Sequence, residues 1–184
     1  MKVNCIIGID PGKNGGIAIY RYGYKVTTIK MPKDLNELKD MFRYYSENFT
    51  TIIFLEKLSI RPDDIKVENN GKANMGKIFR VQTMMANYER LKVLIELSGI
   101  PYAMVHPMTW QSKLGLRKHG VKEEKAKRKH RYRRSAIELY PGQKVTLWNA
   151  DALLIMHFGR WALENDINWV RGNVPTKEQG KIFD

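Results

Sequence analysis

The chain has 184 residues, 43% of them hydrophobic, enough to bury a core and suited to one domain spanning 1–184. Thirty-two Lys plus Arg against 19 Asp plus Glu give a formal net charge of +13, which favours polyanionic partners, nucleic acid first. No stretch reaches the apolar length of a bilayer span and no signal-peptide pattern opens the chain, so membrane roles are set aside and a cytoplasmic protein is expected. The lone Cys5 can form no internal disulfide and reads as a small buried hydrophobe.

In chain order, residues 3–10 predict a mostly apolar strand, 11–16 a Gly-rich turn, and 17–20 a returning strand, together a hairpin. Residues 25–31 could add a third strand. Leu35, Leu38, Met41 and Phe42 recur at helical spacing, and 51–55 form a β-branched and aromatic run ending at Glu56. Residues 61–77 are polar, hold Pro62, Asn69, Asn70, Gly71 and Gly76, and predict a long mobile loop. A helix is expected over 78–97, closed by Ser98, Gly99 and Pro101, followed by a strand over 102–105 that ends at His106 and Pro107. A short helix at 135–140 and an apolar one at 150–161 complete the pattern. Interleaved strands and helices imply an α/β fold, a mixed central sheet flanked by helices.

Three carboxylates stand out by position. Asp10 and Glu56 each end an apolar strand, and Asp151 lies in the first turn of an apolar helix, where unpaired acids are uncommon. If the two strands are neighbours and the last helix packs on them, the three converge as oxygen ligands for Mg²⁺, and two such ions could hold a scissile phosphate and activate water. Taken singly, Asp10 before Pro11 is equally a turn former and Asp151 a favourable first-turn acid. The positive charge is also concentrated: residues 113–134 hold eleven Lys or Arg and two acids, Glu123 and Glu124, hence nine of the thirteen net charges. That segment is either a phosphate-binding surface or a solvated basic arm.

The motifs IGIDPGKNGG at 7–16, FLEK at 54–57 and ADALLI at 150–155 resemble, in order and spacing, the three acidic motifs of RuvC-like Holliday-junction resolvases of the RNase H-like superfamily. VHPMTWQSKLGL at 105–116 and SAIELYPG at 135–142 resemble stretches of the phage-type members. The resemblance spans nearly the whole chain. It implies an RNase H-like fold and a homodimer acting on four-way or related branched DNA. It also implies phosphodiester hydrolysis leaving 5′ phosphates and two Mg²⁺ ions per active site, with Mn²⁺ as a substitute and no nucleotide cofactor. Asp10, Glu56 and Asp151 match the catalytic, metal-binding acids. Cellular resolvases carry a further Asp or His where this chain has Trp148; the neighbouring Asn149 could lend an amide oxygen to metal, or cap the helix that follows. DNA contacts are expected from Lys13 in the turn and from Lys113, Lys118, Lys122, Lys125, Lys127, Arg128, Lys129 and Arg131 in the basic segment. His157, six residues beyond Asp151, falls well round the helix and is expected away from the acids.

Two other readings remain. The DPGKNGG turn also resembles the phosphate-binding hairpin of actin-like ATPases and sugar kinases, although those proteins are larger and have no reason to be this basic. A non-catalytic branched-DNA-binding protein of the same fold is the second, made credible by Trp148. Against it, a pure phosphate binder has electrostatic reason to shed three central acids.

Overall fold

The computed structural model describes residues 2–60, 74–117, 120 and 123–175. Five strands form one mixed sheet: β1 (Cys5–Asp10), β2 (Gly16–Arg21), β3 (Thr27–Lys30), β4 (Thr51–Glu56) and β5 (Tyr102–Val105), in the order β3-β2-β1-β4-β5. The first three make an antiparallel meander, and β4 and β5 add in parallel to β1. Six helices complete the chain: α1 (Leu35–Asn48), α2 (Met75–Ser98), α3 (Pro107–Lys113), α4 (Lys125–Leu139), α5 (Ala150–Asn165) and α6 (Ile167–Asn173). None of the described helices is long and apolar enough to cross a membrane.

Side chains alternate across a strand, so β1 and β4 each feed two cores. Cys5, Ile7 and Ile9, with Ile53 and Leu55, join Leu38, Phe42 and Tyr45 of α1 and Tyr88, Leu91 and Ile95 of α2 on one face. Ile6, Ile52 and Phe54 meet α5 on the other. The central strands are therefore apolar on both sides, as expected of a sheet covered on each face. Helix α5 is buried on nearly every side from Ala150 to Gly159, with α4 and α6 packed around it. Its contact with β1 is unusually close: a Cβ added at Gly8 would lie 2.4 Å from the Met156 backbone nitrogen and 2.6 Å from the Ala152 carbonyl. Even an alanine there would lever the helix off the strand.

Several boundaries differ from the sequence expectations. Residues 61–73 of the expected loop lie outside the described residues, but Met75–Lys77, also assigned to that loop, already belong to α2, whose first turn is capped by Asn74 accepting from the Lys77 N–H at 3.0 Å. The helix ends as expected, with Gly99 in the left-handed conformation at φ 68°. Residues 107–113, left without an element, form α3, because Pro107 is pre-set for the first helical position and His106 Nδ1 accepts from the Met108 N–H at 3.2 Å. The short helix expected at 135–140 is the end of the 15-residue α4, which takes in much of the basic run. Lys and Arg are good helix formers, and Tyr132 with Ala136 gives this helix a narrow buried stripe. Helix α6 was also unassigned; the Asp166 carboxylate caps it by accepting from the Trp169 N–H at 3.3 Å.

Candidate active site

Strand register brings the first two acids together. Ile9 pairs with Leu55, so Asp10 and Glu56 are the next residues along adjacent parallel strands at one edge of the sheet. Alternation turns both toward the face covered by α5, the face that also receives Ile6 and Phe54. Asp151 enters from above, in the first turn of α5, with 6% of its surface exposed. Three acids distant in sequence thus meet where two strand ends and a helix start coincide.

Each carboxylate has its own support. Asp10 Oδ1 accepts from the Gly12 N–H at 3.0 Å, and the turn closes so tightly that a Cβ at Gly15 would lie 2.2 Å from the Asp10 carbonyl. Gly12, Gly15 and Gly16 all have negative φ, so at Gly15 and Gly16 the requirement is space rather than a left-handed backbone: a Cβ at Gly16 would strike the Trp148 ring at 2.8 Å. Glu56 Oε1 accepts from the buried Trp110 indole N–H at 2.9 Å. Asp151 Oδ2 is ion-paired with Lys129 Nζ, whereas its Oδ1 is buried without a hydrogen-bond partner among the described residues.

The carboxylates act on one another electrostatically. Burial, then repulsion from Asp10, pushes the Glu56 carboxyl up to about 8, against the opposing pull of the Trp110 hydrogen bond; Asp151 adds a smaller upward push and Lys129 a smaller downward one. Glu56 keeps part of its surface open to water, which limits the energetic weight of that shift. Burial also raises Asp151, while Lys129 pulls it back. For Lys129, burial works against the charged amine, but the fields of Asp151, Asp10 and Glu56 outweigh it and the net shift is upward.

Among the described residues no three Asp, Glu, His or Cys side chains already stand in a metal-holding arrangement. The donor set nevertheless fits a hard divalent cation: all three groups are carboxylates, and the Asp151 Oδ1 is a buried oxygen with no hydrogen-bond partner among the described residues. Lys129 holds the other oxygen of that same residue, so a cation bound to both Asp151 oxygens would displace the amine.

Other expected site residues fall elsewhere. Asn149 is 1% exposed and its amide is fully committed: Oδ1 accepts from Thr146 N–H at 2.7 Å and Thr146 Oγ1 at 3.1 Å, while Nδ2 donates to the Lys144 carbonyl at 3.0 Å and Thr28 Oγ1 at 3.1 Å. With both Oδ1 lone pairs taken it anchors the turn before α5, and its side chain does not cap the helix. Trp148 packs on the β1–β2 hairpin at Gly16. His157 hydrogen-bonds Tyr140 Oη at 3.0 Å, away from the acids as expected, and burial lowers its pKa.

The basic residues divide by occupation. Lys13, Lys125 and Lys127 are exposed, with Lys127 3.8 Å from Glu124, and Arg128 is half-buried. Arg131 is held by the Glu123 carboxylate, at 3.1 Å and 2.5 Å, and by the Leu116 carbonyl, which makes it a brace between α4 and the preceding loop. Lys113 lies 5.0 Å over the Trp161 ring and 3.9 Å from Asp166. Lys118 and Lys122 lie outside the described residues. Lys129, grouped by sequence with the phosphate contacts, points into the acidic site instead. Its signal was positional: it precedes Tyr132 by three residues and Ala136 by seven, which places it on the inward stripe once α4 is recognised as one helix. Trp110 was missed because the segment carrying it had no element assigned.

No protein-family model matches the sequence, and no curated protein matches it. Among solved structures, the α/β fold is similar to that of RuvC. Thermus thermophilus RuvC aligns over 92% of this chain and 98% of its own, with 14% identity and a TM-score of 0.50. T. thermophilus RuvC in complex with a Holliday junction substrate aligns over 88% and 96%, with 13% identity and a TM-score of 0.51.

Proposed function

We propose that the protein is a metal-dependent endonuclease that cuts four-way junctions or related branched DNA, acting as a homodimer and leaving 5′ phosphates. The observation that carries the reading is the convergence of Asp10, Glu56 and Asp151 at one end of the central strands, with a buried Asp151 oxygen that has no hydrogen-bond partner among the described residues. A junction is bound to one of the RuvC structures sharing this fold, which supports branched DNA as the substrate class.

In this reading Asp10, Glu56 and Asp151 hold Mg²⁺, with Mn²⁺ as a substitute. Bound cations supply Lewis-acid activation of water and charge neutralisation at the scissile phosphate. The exposed cations of α4, Lys125 and Lys127 first, bind flanking phosphates and set the strand against the sheet edge. Lys129 neutralises Asp151 in the metal-free protein, and its amine would be available to a phosphate oxygen were a cation to take its place on Asp151. Fluorescently labelled junction and duplex DNA, incubated with Mg²⁺, Mn²⁺ or EDTA and resolved on a denaturing gel, test this. Junction nicks with either metal and none in EDTA are expected; intact junction under every condition would sink the reading.

The Lys129–Asp151 pair and the lack of a ready-made metal cluster among the described residues favour a second reading, a non-catalytic branched-DNA binder. It gives uncut junction on the denaturing gel and retarded junction on a native gel of the same mixtures.

A further inference from the structure

Trp110 lies in the middle of α3 with none of its surface exposed, and its partner is 54 residues away in sequence. Indole has one N–H to donate and no acceptor, and when buried that N–H usually finds an oxygen. Here the oxygen is not a backbone carbonyl but Glu56 Oε1, at the strand end where the acids converge. A neutral donor fixes the carboxylate without bringing a charge that competes with a cation, unlike the amine of Lys129 on Asp151. With Oε1 held, the carboxylate cannot rotate without breaking the bond, so the direction of Oε2 is fixed too.

The ring does a second job. It meets the Tyr132 ring edge-to-face at 5.3 Å, and Tyr132 is 2% exposed on α4, one turn beyond Lys129. Arg131, the residue before Tyr132, ties the same helix to Glu123 and to the Leu116 carbonyl just past α3. One indole therefore joins the strand end that presents Glu56 to the helix that presents Lys129.

We propose that Trp110 is the positioning residue of the site: its N–H orients Glu56 toward the metal while its ring sets the basic helix α4 against the same centre. This rests on the metal-dependent reading above. Groups that hold a metal ligand in place from behind typically change metal affinity by about 10- to 100-fold when removed.

The test uses the full chain and two variants. Trp110→Phe removes the N–H and part of the ring; replacing Trp110 with 3-benzothienylalanine removes the N–H alone and keeps the bicyclic shape. Mn²⁺ binding is read by electron paramagnetic resonance without DNA, and junction affinity is measured separately in EDTA. The isosteric variant is expected to fold, to bind junction as the wild type does, and to bind Mn²⁺ about 10-fold more weakly or worse. Trp110→Phe is expected to lose junction affinity as well, because α4 loses its seat. An isosteric variant with wild-type Mn²⁺ affinity overturns the inference, and so does one that fails to fold, since the bond is then structural. A wild type that takes up no Mn²⁺ overturns the metal reading itself, and the inference with it.

Discussion

At the scale of the residue, the three acids have unequal surroundings and should respond differently to change. Asp10→Asn, Glu56→Gln and Asp151→Asn are each expected to abolish metal-dependent junction cleavage while leaving junction binding in EDTA intact; near-normal cutting by one variant would remove that residue from the site. Glu56 also makes the metal-free protein sensitive to pH. Its folded-state carboxyl is raised to about 8 from an ordinary 4.5, chiefly by burial, so between those values the folded chain binds more protons than the unfolded one. Stability must then fall as pH rises across that window, by an amount on the order of a few kcal/mol at most. Denaturant melts in EDTA at pH 5 and pH 8 should show this loss, and Glu56→Gln should shrink it; a variant with the wild-type pH slope would assign the effect to another group. The acids themselves were legible because each interrupts an apolar run. Their partners were not: Lys129 looks like any other cation of its segment, and Trp110 stands in a segment with no predicted element, until the fold sets 129 against 151 and 110 against 56.

At the scale of the element, what could be read depended on how each segment is buried. Strand β5 and the ending of β4 at Glu56 matched expectation because strands covered on both faces show as compact apolar runs between turn signals. Helix α4 escaped because it buries only Tyr132 and Ala136, too few positions to set up a period against seven Lys or Arg. Those cations now separate into exposed and engaged ones. With Lys129 on Asp151 and Arg131 on Glu123, the phosphate contacts expected from this helix reduce to Lys125, Lys127 and Arg128. Replacing these three with Ala should lower the magnitude of the log-log salt slope of junction binding by about 2 to 3 units. The exposed Lys127–Glu124 pair, 3.8 Å long, is too weak to withhold Lys127 from DNA. An unchanged slope would make α4 a solvated basic face and move the DNA path elsewhere.

At the scale of the whole molecule, the mixed sheet and its helical covering were expected from the alternation of strands and helices, the strand order was not, and the side chains of α2 divide along its length. Apolar side chains of this helix are suited either to a subunit interface or to core packing; Tyr88 and Leu91 are core residues, each 4% exposed, and Met85 packs beside them. Phe79, by contrast, is 59% exposed and Met75 54%, in a half of the helix that buries none of its side chains. A two-fold junction needs two active sites at fixed separation, which a symmetric dimer provides. Sedimentation at micromolar concentration is expected to give a species near twice 21.5 kDa, and Phe79→Glu is expected to shift it toward monomer without unfolding the chain. Monomers alone on junction DNA, with independent nicks, would replace the dimer by a structure-selective monomeric nuclease.

The contact of α5 with β1 across Gly8 has a consequence for how the molecule breathes. The buried middle of α5, residues 152–159, is expected to exchange its amide hydrogens mainly when the helix leaves the sheet, so Asp151 is carried by a slowly exchanging element. The first half of α2, with no buried side chain, opens at small cost and exchanges early. A subunit or a DNA arm pressing on that half can therefore be accommodated by local rearrangement, while Asp10 and Asp151 keep their spacing on the rigid side of the fold.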